Sequence, residues 1–162
     1  MIGYAELQNI NNFSWGIIKN SLKETLLTEE EWDKTIEAVQ NEERKYRHGL
    51  CGMGISKIIG TPLYIIEYRE RELKKGAYKY ASLEAEKKEI FTLYQYGWKL
   101  LKNYGAVESP LTEEQISSMQ KLSDEIPTLN PIYAEVVKNF VTGCLEIIRD
   151  RQNAMIKEKR AV

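Results

Sequence analysis

Two short stretches constrain this chain more than any others. Residues 27–32 read LTEEEW and residues 111–116 read LTEEQI. In each, a threonine stands where its hydroxyl accepts from the amide three residues on. A Glu or Gln at that third position returns a bond to the threonine's own amide. Thr28 with Glu31 and Thr112 with Gln115 therefore read as capping boxes, each opening an α-helix. Leu27 and Trp32, and Leu111 and Ile116, stand at the positions of a hydrophobic staple. The acids in both first turns suit the positive end of the helix dipole. The repeated LTEE does not mark a duplication, because DKTIEAV follows one copy and SSMQKLS the other.

The remaining pattern is helical as well. Ile10, Phe13, Ile17 and Leu22 suggest a first helix, weakened by Gly16. Trp32, Ile36 and Val39 mark one over about 29–47. Leu83, Ile90, Tyr94, Trp98 and Leu101 mark a long one over about 78–104, closed by Gly105. Ile116, Met119 and Leu122 mark a short one. Tyr133, Val137, Phe140, Cys144 and Ile147 mark a last long one over about 131–158. These are the i, i+3, i+4 repeats of amphipathic helices. Thr61-Pro62 and Asn130-Pro131 read as two further starts, with proline at the first helical position. LYIIEY, residues 63–68, has the β-branched and aromatic content of a strand, yet it has no strand partner elsewhere and follows the Thr-Pro start, so it is assigned to helix.

The expected fold is thus all-α, a compact bundle of six or seven helices whose spine is a long antiparallel pair, about 78–104 and 131–158. Its 162 residues suit a single helical domain over 1–162, with GAVESP at 105–110 as the candidate linker if the chain subdivides. The 23 basic and 24 acidic residues nearly cancel, so no global field recruits nucleic acid or an anionic membrane. No apolar run approaches the 18 residues of a membrane span, and MIGYAELQNI lacks the basic-then-apolar pattern of a leader. The expected location is cytoplasmic.

Counting sets aside much catalytic chemistry. His48 is the single histidine, so a carboxylate-bridged di-iron bundle with two Glu-x-x-His pairs does not fit. Zinc would need Cys51, Cys144, His48 and a carboxylate to converge without any C-x-x-C spacing. Asp33, Asp124 and Asp150 are the only aspartates and form no Asp-x-Asp arrangement. Cys51 lies three residues after His48 among basic neighbours, but a turn-packing thiol explains it as simply. No cofactor or metal is expected, and neither is an enzyme.

The glycine-rich stretch HGLCGMGISKIIGTP, residues 48–62, holds the remaining signal. It lacks the spacing and the preceding strand of a Walker loop or a dinucleotide fingerprint. Gly49-Leu50-Cys51-Gly52 with Ile55 resembles the loop of KH domains, without their sheet. Leu50-Cys51-Gly52-Met53-Gly54, then Ser56-Lys57, resembles the hairpin of helix-hairpin-helix modules. That resemblance implies backbone amides gripping a DNA phosphate. Arg44, Lys45, Arg47, His48, Gly52, Gly54 and Lys57 would make up the site. Ile58 departs from the family's small residue there, and the helix before Leu50 is charged where apolar packing is expected. A plain interhelical turn with Gly49 as its C′ cap accounts for the same residues.

Tyrosine supplies the other signal. Seven of the ten fall between 64 and 104, among them Tyr64, Tyr68, Tyr78 and Tyr80, and tyrosine favours protein interfaces because it joins contact area to a polar tip. The same rings would also suit the edge of a helical core. Glu67, Glu70 and Glu72 alternating with Arg69, Arg71 and Lys74 read as a solvated face. The expected function is non-enzymatic protein–protein interaction, and a homo-oligomer is not excluded. Lys-, Glu-, Ile-, Asn- and Tyr-rich usage resembles that of AT-rich bacteria and their phages, where small accessory proteins include inhibitors of host defence. Nucleic-acid binding through residues 49–57 is the alternative.

Overall fold

The computed structural model describes residues 2–161. Among them the chain forms six α-helices: α1 Tyr4–Ser21, α2 Glu29–Arg44, α3 Gly52–Lys74, α4 Leu83–Leu100, α5 Glu113–Leu129 and α6 Ala134–Ala161. A π-helical turn, Leu101–Gly105, extends α4, and a 3-10 turn, Pro131–Tyr133, leads into α6. No strand is present among the described residues. Apolar side chains from all six helices meet in one contiguous core.

Both capping boxes form. The Glu31 amide donates to Thr28 Oγ1 (3.1 Å) and the Thr28 amide to Glu31 Oε1 (3.0 Å). At the second box the distances are 3.2 and 2.8 Å. Lys23, hydrogen-bonded to Glu31, and the Thr28 amide hold the Glu31 carboxyl down to about 2. α3 ends in a Schellman motif. Gly76, at φ 71°, supplies the left-handed residue, while the Ala77 and Gly76 amides donate to the Glu72 and Leu73 carbonyls.

The Thr61-Pro62 start is corrected. α3 begins ten residues earlier, at Gly52, and Pro62 lies inside it, so LYIIEY continues a helix already under way. Proline in a helix interior deprives the carbonyl four residues back of its donor. That carbonyl belongs to Ile58, and the buried Ser14 hydroxyl of α1 donates to it at 2.8 Å. Ser14 Oγ also lies 2.6 Å from the hydroxyl of Tyr94 on α4. Thr61 is no cap, because its hydroxyl bonds back to the Lys57 carbonyl at 2.7 Å. Gly49 does not close α2 in a left-handed conformation either. That conformation falls to Cys51, at φ 69°, the one non-glycine residue with positive φ among those described.

The expected antiparallel spine is also corrected. α4 and α6 run in the same direction, with Glu86 bonded to Tyr133, Tyr94 against Phe140, and Gly105 beside Ile148. The reason is α5, which carries the chain back along the bundle between them: Leu111 bonds to Gln152 at one end and Asn130 meets Tyr80 at the other. The long antiparallel pair is α3 with α6. Cys51 faces Ile147, Gly54 faces Gly143, and Tyr68 faces Tyr133. At the crossing, a Cβ on Gly54 would stand 2.5 Å from the Gly143 carbonyl oxygen, and one on Gly143 would stand 2.8 Å from that of Gly54. Two backbones therefore touch where side chains would normally separate them. Segment 105–111 lies against α6, where Arg151 donates to the carbonyls of Gly105, Val107 (2.9 Å) and Ile2 (2.9 Å).

Ser14→Ala should destabilise the protein by about 1–3 kcal/mol in urea unfolding, because the buried Ile58 carbonyl loses its donor. Pro62→Ala reintroduces an amide donor for that carbonyl, so Ser14→Ala should cost measurably less in a Pro62→Ala background. Gly143→Ala should cost at least about 1–3 kcal/mol by the same measurement, since it forces the crossing apart.

Candidate functional site

The glycine-rich turn sets three of its basic residues, Lys45, Arg47 and Lys57, against acids. Arg47 bonds Glu43 through Nη2 (3.1 Å) and Nε (3.3 Å), Lys45 pairs with Glu42 at 2.9 Å, and Lys57 pairs with Glu146 on α6. Arg44 bonds the Asn41 side chain at 3.0 Å, and His48 is exposed. Arg47 holds the Glu43 carboxyl below its ordinary range. Gly52 and Gly54 are buried. The Gly52 amide is used by the Gly49 carbonyl (3.1 Å), and Gly54 faces α6. A phosphate at this turn would have to compete with Glu42, Glu43 and Glu146 for its cations.

Both thiols are buried. Cys51 donates to the Ile147 carbonyl at 3.6 Å, and burial pushes its thiol up to about 11. Burial also raises the Cys144 thiol. Among the described residues, no three His, Cys, Asp or Glu side chains gather as a metal site would require.

The four tyrosines singled out by sequence divide between two places. Tyr68, Tyr78 and Tyr80 are half-buried around a charge pair that the sequence reading missed. The Arg69 Nε donates to Glu86 Oε1 at 2.7 Å, and both residues are buried. Tyr133 and Tyr78 donate to the same carboxylate at 2.7 and 3.1 Å. Arg69 lies over the Tyr78 ring, Tyr80 stacks on Tyr133, and Tyr68 meets Tyr133 edge-on. Burial, reinforced by the Glu86 charge, raises the Tyr133 phenol and keeps it a donor. The cavity left among these groups is about 10 Å³, room for a single water. Arg69 is thus no part of a solvated face. Its register gave the only hint, since it shares a helix face with the apolar Ile65 and Ile66, four and three residues earlier.

Tyr64 lies elsewhere. α2 and α3 form an antiparallel hairpin, with the Leu27 amide on Glu70 at one end and Ser56 on Glu43 at the other. Along the outer face of this hairpin runs an open groove of about 720 Å³. Trp32, Ile36 and Val39, at i, i+4 and i+7, line its α2 side. Met53, Gly60 and Tyr64, at i, i+7 and i+11, line its α3 side, with Met53 69% and Tyr64 55% exposed. Arg47, Gly52 and Lys57 also border it, whereas Arg44, Lys45 and His48 do not. The α2 stripe is plain in the sequence. The α3 stripe is hidden once a helix start is placed at Pro62, because that start separates Met53 from Tyr64.

Compared with models of known protein families, with curated proteins and with solved structures, the chain matches none. Among the described residues no helix is long and apolar enough to cross a membrane.

Glu86→Ala should destabilise the protein by about 3–5 kcal/mol, because it leaves the Arg69 guanidinium buried without its partner. The double variant Arg69→Met/Glu86→Leu should recover most of that loss in thermal or urea unfolding.

Proposed function

We propose that this chain acts by binding another protein, with the α2–α3 groove as its contact surface and no catalytic step of its own. The observation that carries this reading is the exposed apolar pair in the groove, Met53 and Tyr64, beside the half-buried Trp32, Ile36 and Leu63. Large exposed apolar side chains gathered in a concavity mark interaction sites, whereas scattered ones need no explanation. Methionine adapts to irregular partners, and tyrosine gives contact area with little conformational entropy to lose. An accessory or inhibitory role follows naturally, since a protein that covers another's exposed segment needs no chemistry to change its activity.

Met53→Asp/Tyr64→Asp places two charges in the groove at exposed positions, so circular dichroism and thermal unfolding should be nearly unchanged. The same variant should fail to retain a stoichiometric partner that the wild-type chain recovers from its native host. A partner held equally by wild type and variant would remove the groove from the proposal. Salt-sensitive DNA binding that disappears in Arg47→Glu/Lys57→Glu would move the function to the basic turn instead.

A further inference from the structure

We propose that α1 and α4 together present a binding face for single-stranded nucleic acid. Unpaired bases stack on Tyr4, Trp15, Phe91 and Trp98, and Lys19, Lys88 and Lys102 hold the backbone phosphates. This face is separate from the α2–α3 groove, so the inference goes beyond the protein-binding reading and does not depend on it.

The face is built from two stripes. α1 and α4 lie antiparallel, since Tyr4 meets Trp98 with ring centroids 5.2 Å apart and Trp15 meets Phe91 at 5.0 Å. Along α4 and its π turn, Lys88, Phe91, Gln95, Trp98 and Lys102 follow one another at the spacing of a single helix face. Tyr4, Gln8, Asn12, Trp15 and Lys19 do the same along α1. Every one of these side chains is exposed or half-buried. Side by side, the stripes run from lysine through an aromatic pair, carboxamides and a second aromatic pair to lysine again.

The rings are held in place with a side left to solvent. Phe91 is 40% and Tyr4 48% exposed, while Trp15 is braced from within by the buried Tyr94 at 5.8 Å. Beside Trp15 and Phe91 opens a cleft of about 450 Å³, bordered by Lys87, Lys88 and Glu84. Rings fixed by packing, with cations beside them, suit the stacking of unpaired bases on a strand whose phosphates need neutralising.

Charge distinguishes this face from the glycine-rich turn. Arg47 and Lys57 at the turn are spent on Glu43 and Glu146, whereas Lys19, Lys87, Lys88 and Lys102 make no salt bridge among the described residues. Glu84, one turn before Lys88, is the acid that borders the cleft. Lys88 and Lys102 stand about 21 Å apart at the helical rise. A strand crossing the rings therefore meets a cation at each end of its path.

The carboxamides between the rings decide among ligands. Gln8, Asn12 and Gln95 both donate and accept hydrogen bonds, as the edges of unpaired bases require. The same groups would lose their partners in the acyl region of an anionic membrane, the other surface that lysine and aromatic side chains favour. A duplex keeps its base faces inside the stack, where these rings cannot reach them.

The test uses the full-length chain and a fluorescein-labelled oligothymidylate of about ten nucleotides, because neither stacking nor phosphate pairing needs a 2′-hydroxyl. Anisotropy should show binding that weakens as salt rises, accompanied by quenching of tryptophan fluorescence. A duplex of the same length should bind about tenfold more weakly, and Phe91→Ala should weaken binding of the single strand by a similar factor. Lys88→Glu/Lys102→Glu should remove binding while leaving circular dichroism and thermal unfolding nearly unchanged. Lys88→Arg/Lys102→Arg should retain it.

No binding at low salt, equal binding of duplex and single strand, or full binding by Lys88→Glu/Lys102→Glu would overturn the inference. Loss of binding in Arg47→Glu/Lys57→Glu but not in Lys88→Glu/Lys102→Glu would also overturn it, by assigning the strand to the glycine-rich turn. Binding to phosphatidylserine/phosphatidylcholine vesicles without binding to the oligonucleotide would give the face to a membrane instead. The groove stands or falls separately, on partner capture by Met53→Asp/Tyr64→Asp.

Discussion

The contact between Gly54 and Gly143 sets the geometry for much of this molecule. A helix pair separated by side chains can slide or rotate as those side chains change rotamer. A pair whose backbones touch has neither freedom. With α3 pressed on α6 in this way, Cys51 reaches the Ile147 carbonyl, Lys57 reaches Glu146, and Tyr68 arrives beside Tyr133 at the far end. α2, lying antiparallel along α3, sends Val39 into the core and leaves Trp32 and Ile36 half-buried along the groove. The close crossing and the open groove are two faces of one helix, α3, with Gly54 turned inward and Gly60 outward.

Where the helices leave backbone groups unpaired, single polar side chains from distant segments make good the loss. Ser14 serves the carbonyl stranded by Pro62. Arg151 gathers the carbonyls of Gly105 and Val107, where α4 ends in a π turn, together with that of Ile2. The Glu86 carboxylate collects Arg69, Tyr78 and Tyr133, joining α3, α4 and the entry to α6. A buried polar group without a partner is costly in each of these places, so these bonds specify which helices may lie together as much as they strengthen the packing.

The legible parts of the sequence were those whose physics is local. A capping box needs four residues, and both boxes formed where they were read. The all-α class followed from periodicity. Pro62 misled because the consequence of an internal proline depends on whether a donor exists elsewhere, and Ser14 lies 44 positions away. The direction of the long helices misled because α5 was read as a short element rather than as a full return leg. Arg69 looked solvated among its charged neighbours, since only the fold brings Glu86 to it. The groove suffered the same fate in part. Trp32, Ile36 and Val39 were visible as a stripe, but the sequence does not say that only Val39 enters the core while Trp32 and Ile36 stay half-buried along the groove.

The Ser14–Ile58 bond bears on the order in which the chain acquires its structure. α3 cannot close its own hydrogen-bond ladder, because the donor it lacks is carried by α1, and Ser14 is in turn aligned by Tyr94 of α4. An isolated α3 segment would carry a break at its midpoint. Docking of α1 mends that break, which makes formation of the longest stretch of the hairpin contingent on contacts made across three helices. Local helix formation and global assembly are thereby coupled at one hydroxyl.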